Sequence, residues 1–430
     1  MQYFHYTSYL LLTTMLFLVD SATTQAVETS QDDLYDPLAL YLTWQQDPST
    51  TMTIDWHTVD EQRSTVIQYR VPGEINWQNR SGSEHEFPYS KRTIHRVELN
   101  GLKADTEYEF RFGEDSKIYR FRTMPEKLTR PLRIALGGDT MHHQDFFEET
   151  NRQVLKYDPD FVVIGGDIAY ADGLPPEKQG LRADPETRQR TDSPRPGLED
   201  GDNLWYHWFN AYKNTLITDE NRVIPMLVTL GNHETSGGEA PYFFALFAMP
   251  GLPGYNVLDF GDYMSFILLD SGHVNSPGGE QRQWLENVLA ERRNVPHVFP
   301  IYHVPIYPSV RELDDRRVVP VRENWKSLFE EYGIRVAFEN HDHAYKRTYP
   351  IRNDEIASNG VVYIGDGSWG TVPREIRRND DGSFEEWYMS EGAEVMHFIL
   401  LTIDGTHQHM LMIDSEGNII DEYPQTPERR

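Results

Sequence analysis

Five short apolar runs, each closing on a cluster of polar side chains, constrain this chain more tightly than any other feature of it. The runs are Leu132–Leu136, Phe161–Ile164, Met226–Leu230, His297–Tyr302 and Ile334–Phe338. They are followed in order by Asp139, by Asp167 and Tyr170, by Asn232 and His233, by His303, and by His341 and His343. Runs of this length read as buried strands, and open α/β sheets gather their ligands at the carboxyl ends of the strands. The pattern predicts that these side chains converge on one pocket.

The residue types say what such a pocket could hold. Carboxylates, an Asn carbonyl, imidazoles and a phenol oxygen form a mixed hard and borderline donor set, suited to iron, zinc or manganese. The chain has no cysteine, which sets aside copper(I) and iron–sulfur clusters. One carboxylate can bridge two ions about 3.5–4 Å apart, and such a pair lowers the pKa of bound water from about 15.7 towards 7 while clamping the attacking and leaving oxygens. In-line displacement at phosphorus is the chemistry this favours. Each element alone has a plainer reading: Gly-Asp after a strand is usually a turn, a lone histidine is usually a satisfied core residue, and His341 with His343 could share one strand face. The order of the whole set carries the functional reading.

Written out, the set is Gly138-Asp139, Gly166-Asp167-Ile168-Ala169-Tyr170, Gly231-Asn232-His233-Glu234, Tyr302-His303-Val304-Pro305 and His341-Asp342-His343. It resembles the motif series of the calcineurin-like metallophosphoesterases, and Tyr170 narrows the resemblance to the purple acid phosphatase family. The wider superfamily opens on Asp-x-His, whereas this chain reads Asp139-Thr140-Met141. Loss of that histidine with gain of the tyrosine is what the purple branch implies, because a phenolate is a hard anionic ligand suited to ferric iron. The resemblance implies that Asp139, Asp167, Tyr170 and His343 hold Fe(III). It implies that Asp167, as a bridge, with Asn232, His303 and His341 holds a second ion, Zn(II), Mn(II) or Fe(II). A metal-activated hydroxide would be the nucleophile, and His233 would contact the phosphate and assist the leaving group.

Two departures from the family stand out. Asn340 occupies the position of a glycine before His341, and Asn is the residue that best tolerates a left-handed backbone after glycine, so the same turn is expected. Plant-type members also carry a histidine pair that contributes to phosphate binding, while Ile306 to Asp315 has none and offers Tyr307, Ser309 and Arg311. Among the neighbours, His142 and His143 read as solvated residues at a helix start, with a phosphate contact as the alternative. Arg347 reads as a salt-bridging residue and Glu234 as a group that orients a ligand.

Around the motifs the chain reads as an α/β catalytic domain, two mixed β-sheets packed face to face and flanked by helices, preceded by a small all-β sandwich. Residues 37–125 alternate apolar and polar in short runs, including 51–56, 66–69, 93–99 and 106–112, and the pattern Leu99-Asn100-Gly101-Leu102 to Thr106-Glu107-Tyr108 resembles a fibronectin type III domain. That module either packs against the catalytic part or serves as a spacer. In the catalytic domain, 130–425, helical patterns over 144–156, 203–216, 280–293 and 321–332 alternate with strands. Val361–Ile364 and the strands His397–Ile403, Gln408–Ile413 and Ile419–Tyr423 are expected to finish the second sheet. Residues 174–202, rich in Pro, Gly, Arg and Asp and without periodicity, form an insertion expected to shape substrate access.

Residues 1–26 read as a signal peptide, with an apolar run over 9–19 too short to span a bilayer and cleavage near Ala26, so a secreted or periplasmic location is expected; a retained anchor is the alternative. No later stretch is a membrane span. The formal charge of −28 opposes unaided nucleic-acid binding, whose phosphates require cationic partners. The first expectation is hydrolysis of small phosphomonoesters. Phosphodiester or nucleotide hydrolysis by the same ions is the second, since pocket shape separates the two. A non-catalytic adhesion or binding protein on the same fold is the third.

Overall fold

The computed structural model describes residues 34–59, 63–179, 203–248 and 254–424. The leader read over 1–26 and most of the 174–202 insertion lie outside the described residues. Gln179 and Leu204, which flank the undescribed part of that insertion, are joined by a 2.8 Å bond from the Leu204 N–H to Gln179 Oε1.

The N-terminal part is built of β1 (Ala39–Thr43), β2 (Met52–Thr58), β3 (Val66–Arg70), β4 (Gln78–Ser81), β5 (Ser83–Glu86), β6 (Thr93–Leu99), β7 (Glu107–Arg111) and β8 (Tyr119–Arg122). They form two antiparallel sheets, ordered β1-β2-β6-β5 and β4-β3-β7-β8. Leu40, Ile54 and Val97 from one sheet and Ile67, Phe110 and Phe121 from the other fill one core. A solvated sheet buries alternate residues, yet every residue of β1 and β2 is buried. The outer face of those strands lies against the rest of the chain. The Tyr41 hydroxyl donates to the Leu246 carbonyl (2.7 Å), and Arg96, paired with buried Asp55 (2.6 Å), donates to the carbonyls of Ala245 and Leu246. The sandwich is therefore packed against its neighbour.

The second part runs β9 (Leu132–Gly137), α1 (Gln144–Leu155), β10 (Phe161–Ile164), α2 (Leu204–Thr215), β11 (Met226–Val228), α3 (Pro241–Leu246), β12 (Asn256–Phe260), β13 (Met264–Leu268), α4 (Gly279–Glu291) and β14 (His297–Ile301). It continues with α5 (Val318–Glu331), β15 (Val336–Glu339), β16 (Tyr345–Thr348), the short pair β17 (Ile351–Arg352) and β18 (Glu355–Ile356), β19 (Val362–Gly365), β20 (Met389–Ala393), β21 (His397–Asp404), β22 (His407–Asp414) and β23 (Ile419–Tyr423). One mixed sheet has the order β11-β10-β9-β21-β22-β23 and the other β12-β13-β14-β15-β19-β16-β20. Inner faces meet through Ile134, Leu136, Val163 and Leu401 on one side and Phe266, Phe299, Phe338 and Ile364 on the other. Helices α1 and α2 cover the outside of the first sheet with Phe147, Trp205 and Trp208, and α4 and α5 cover the second with Leu285, Leu289, Trp325 and Phe329. Among the described residues no helix is long and apolar enough to cross a membrane.

The expected assignment of the three C-terminal strands is corrected. β19 does belong to the second sheet, but β21 pairs antiparallel with β9, so β21 to β23 complete the first. Without β21 the inner strand β9 would be an open apolar edge, and Ile399, Leu401 and Ile403 supply a partner strand with one face for the core. Local alternation identifies a strand but not its neighbour.

The two parts share a core. Trp44, 1% exposed, packs edge-on against Phe161 and Phe260 of the two mixed sheets at 5.6 and 5.8 Å. Trp44→Ala is expected to destabilise the protein by about 3–5 kcal/mol, the range for a large buried aromatic. In a calorimetric scan both parts should melt together at a lower temperature; two separated transitions in the native protein would contradict a shared core.

Candidate metal centre

The parallel strands β9, β10 and β11 and the parallel strands β14, β15 and β19 present their carboxyl ends to one another where the two sheets meet. Asp139 follows β9, Asp167 and Tyr170 follow β10, Asn232 and His233 follow β11, His303 follows β14, and His341 and His343 follow β15. The structure brings Asp139, Asp167, Tyr170, His233, His303, His341 and His343 together. His303 Nε2 lies 3.1 Å from Asp167 Oδ2 and 3.0 Å from His341 Nδ1. His343 Nε2 lies 2.9 Å from Asp139 Oδ1 and 3.1 Å from the Tyr170 hydroxyl, which is itself 3.2 Å from Asp139 Oδ1. Two donor groups result, Asp167 with His303 and His341, and Asp139 with Asp167 and His343, each with its ligand atoms within 4.8 Å of one another. Asp167 belongs to both.

Backbone strain is concentrated at these positions. Asp139 (φ 57°), Asp167 (51°), Tyr170 (56°), His341 (82°) and His343 (59°) all lie in the left-handed region, at an expected cost of about 1–3 kcal/mol each. Cross-links between loops hold them there. The Asp139 N–H donates to the Gly166 carbonyl (2.9 Å), the Thr140 N–H to the Asp167 carbonyl (3.0 Å) and the His341 N–H to Asp139 Oδ2 (2.9 Å). Buried Glu234 accepts from the N–H groups of Asp167 (2.8 Å), Ile168 (2.7 Å) and Gly231 (2.8 Å), tying the second loop to the third. The approach is so close that a Cβ on Gly231 would sit 2.3 Å from the Asp167 nitrogen. That contact explains why glycine precedes Asn232.

Asn340 corrects an expectation. It does not take the left-handed conformation, which falls on His341 instead. Its side chain lies over Gly138 and Gly165, where any Cβ would meet it at 2.5 and 1.9 Å, and its Nδ2 donates to the Tyr302 carbonyl (2.9 Å). The amide thus fills space over two glycines. His142 is a second correction: it is buried, with its ring 4.8 Å from Tyr170 and 5.1 Å from His343, whereas His143 caps α1 by accepting from the Asp145 N–H. Arg347 forms the expected salt bridge, to Asp421 at 2.6 Å. Tyr307, Ser309 and Arg311 bond to Asp354, Asp366 and Asp342 and brace the loops.

The electrostatics of the cluster call for positive charge. His303 Nδ1 can only donate to the Gly165 carbonyl (3.0 Å), which leaves its Nε2 lone pair facing the Asp167 carboxylate. Two acceptors at that separation need a cation or a proton between them. Burial opposes a charge on His303, but the carboxylates of Asp167 and Asp139 outweigh it and push the ring up to about 9. Burial also pushes Asp139 up to about 6, with His303 pulling against it and Asp167 adding to it. Burial, then the charges of Asp139 and Asp167, holds the Tyr170 phenol protonated far above its usual range. Asn232 Oδ1 and His341 Nε2 are buried with no hydrogen-bond partner. A pair of metal ions fits this donor set.

Several residues at the site escaped the sequence. Asp172 bonds to His233 Nδ1, and the His233 N–H donates to Asp167 Oδ1 (2.7 Å). Burial lowers the His233 pKa, yet Asp167 and Asp172 carry it above the ordinary value. Arg374 donates to the His341 carbonyl (3.3 Å), and the His273 ring sits edge-on to that of His303 at 5.6 Å. Burial, aided by the charge of His303, holds His273 down to about 3, so its imidazole is neutral. The buried Lys346, beside Glu339 and 3.7 Å from Asp366, stiffens the ends of β15 and β19. Only Asp172 carried a sequence signal, an acid two residues beyond Tyr170 on the same loop.

The chain is similar to known proteins over most of its length. Residues 37–123 match the purple acid phosphatase N-terminal domain and residues 132–345 the calcineurin-like phosphoesterase domain. The chain is 27% identical to the probable purple acid phosphatase 20 of Arabidopsis thaliana over 83% of this chain and 79% of that one. It is 25% identical to acid phosphatase type 7 of Mus musculus over 90% of each. In fold it is similar to a purple acid phosphatase isolated from yellow lupin (Lupinus luteus) seeds, with a TM-score of 0.71 at 17% identity, over 89% of this chain and 73% of that one.

The Glu234 clamp gives a test of how the loops are held. In Glu234→Gln one accepting oxygen becomes an NH2 group facing a backbone N–H, so a loss of about 1–3 kcal/mol is expected. Thermal denaturation should show the lower stability, and elemental analysis should show less metal per chain. A variant with wild-type melting and metal content would remove Glu234 from this role.

Proposed function

We propose, from the premise that this chain belongs to the purple acid phosphatase family, that it hydrolyses small phosphomonoesters at a binuclear centre held by Asp139, Asp167, Tyr170, Asn232, His303, His341 and His343. The observation that carries the reading is the sharing of Asp167 between two donor groups. Fe(III) is assigned to Asp139, Asp167, Tyr170 and His343, because only a strongly acidic cation would displace the proton that burial and two carboxylates keep on the Tyr170 phenol. Zn(II), Mn(II) or Fe(II) is assigned to Asp167, Asn232, His303 and His341. When bound, the two ions supply an acidified water and positive charge for the phosphate oxygens. The names of the relatives favour monoesters, and the apolar run over 9–19 supports secretion.

The chain's own residues provide the remaining chemistry. The Asp172 carboxylate accepts from His233 Nδ1, which fixes the tautomer and leaves Nε2, 3.9 Å from Asp167 Oδ2, as the nitrogen that meets substrate. Two carboxylates favour the charged imidazolium. His233 Nε2–H can therefore bond a phosphate oxygen and pass its proton to the leaving oxygen as the ester bond breaks. His303 is fixed as a lone-pair donor at Nε2 by the Gly165 carbonyl, and the His341 ring packs against it.

Three measurements test this. The purified protein should contain iron and show a visible tyrosinate-to-iron charge-transfer band, lost in Tyr170→Phe; a colourless, iron-free protein that is still active would refute the assignment. Asp172→Asn should lower kcat on an aryl phosphate by about 10²-fold, the scale of general-acid catalysis. Since the proton on His233 is the useful one, its activity fails as pH rises through the His233 pKa, and removing Asp172 should move that alkaline limb to lower pH. A bis-aryl diester turned over faster than the aryl monoester would shift the reading to a phosphodiesterase.

A further inference from the structure

Beside the His303 side of the centre lies a cavity of about 510 Å³, bounded by the loop after β13 and by the start of α5. Its wall includes His273, Val304, Arg316 and Arg317. Val304 follows His303 in the chain, and the His273 ring lies 5.6 Å from the His303 ring, so the cavity abuts the metal centre.

The two arginines differ from Arg311 and Arg322, which lie on either side of them in the chain. The chain carries a formal charge of −28, and Arg311, Arg322, Arg347 and Arg377 are each paired with a carboxylate. Arg316 and Arg317 are exposed, and among the described residues neither guanidinium has a carboxylate partner. Asp315 turns to the backbone instead, accepting from the Arg317 N–H (2.7 Å). Arg317 also occupies the N-cap of α5 without making a capping bond, and the first turn has no acidic residue. Cationic side chains at that end oppose the helix dipole. Two unpaired cations in an unfavourable place, on the wall of a cavity next to the reacting centre, suit an anion brought in by the substrate.

The opposite wall is preformed. The Asp270 carboxylate accepts from the backbone N–H groups of Gly272 (3.1 Å), His273 (2.8 Å) and Val274 (2.9 Å), so its charge is taken up by its own loop. The His273 ring forms part of that wall.

We propose that this cavity is a second anion subsite, in which Arg316 and Arg317 hold the distal phosphate of substrates that carry two phosphate groups while the proximal phosphate reacts at the metal centre. The proposal rests on the phosphatase reading above. Paired N–H donors of guanidinium match phosphate oxygens in geometry and charge. The two arginines are specificity-determining residues and take no part in bond breaking.

The test compares a hexose bisphosphate with the matching hexose monophosphate on the metal-loaded full chain. The ratio of their kcat/KM values should favour the bisphosphate by at least about tenfold, the worth of one charge-assisted hydrogen bond. In Arg316→Ala/Arg317→Ala that ratio should fall to near one; an unchanged ratio overturns the subsite. Modification of the wild-type protein with phenylglyoxal, read by mass spectrometry of the peptide containing both arginines, needs no variant and no turnover. The bisphosphate should protect that peptide where the monophosphate does not, and equal labelling overturns the proposal. Turnover of phenyl phosphate by the wild-type enzyme separates the two readings: its absence defeats the phosphatase assignment, whereas its presence with a flat ratio defeats only the subsite.

Discussion

The carboxylate of Asp167 is the hinge of the molecule. It is buried where the two mixed sheets meet, it accepts from the His233 N–H at 2.7 Å, and it faces an imidazole lone pair at 3.1 Å. A charge in that position is costly unless opposite charge comes with it. Asp139, a second buried carboxylate in the same pocket, makes the requirement stronger, and a pair of cations satisfies both. Asp167 is also where the loops after β10 and β11 are joined, because its backbone N–H is one of three that Glu234 accepts. Charge demand and loop geometry are thus two aspects of one contact.

Support for that contact extends outward in layers. Left-handed backbone at five of the donor positions is held by hydrogen bonds between loops, and the loops are held by strands whose inner faces share one core. Buried Lys346 joins the ends of β15 and β19, while Asn340 packs over Gly138 and Gly165 across the gap between the sheets. The sandwich adds a further layer, since Tyr41 and Arg96 reach the carbonyls at the end of α3 and Trp44 enters the inter-sheet core. A site that stores strain needs a rigid surround, and this chain, which has no cysteine, builds it from packing, hydrogen bonds and buried ion pairs.

Much of this was legible in the residues. Thr93–Leu99, Phe161–Ile164 and Ile419–Tyr423 stand as strands with the bounds that alternation and composition gave them, and the other predicted strands differ by only a residue or two at each end. The donor residues are legible because each sits directly after its strand, a local relationship that folding preserves. Less local features were not legible. The partner of β9 is β21, more than two hundred residues away, and nothing in either strand names the other. His142 looked like a helix-start residue and is instead pressed between Tyr170 and His343 by the loop at Gly370, whose carbonyl accepts from the His142 N–H. Asn340 looked like a turn residue and is a packing residue.

The sequence by itself determined which candidate donor side chains stand at the strand ends and in what order the strands present them, because residue type and strand-end placement are properties of a few consecutive residues. It determined the family as well, through those same short motifs. Only the tertiary structure decided that Asp172 stands behind His233 and that Arg316 and Arg317 line a cavity beside His303. Those relations join loops tens to hundreds of residues apart, and it is the packing of one sheet on the other that sets the distances between them.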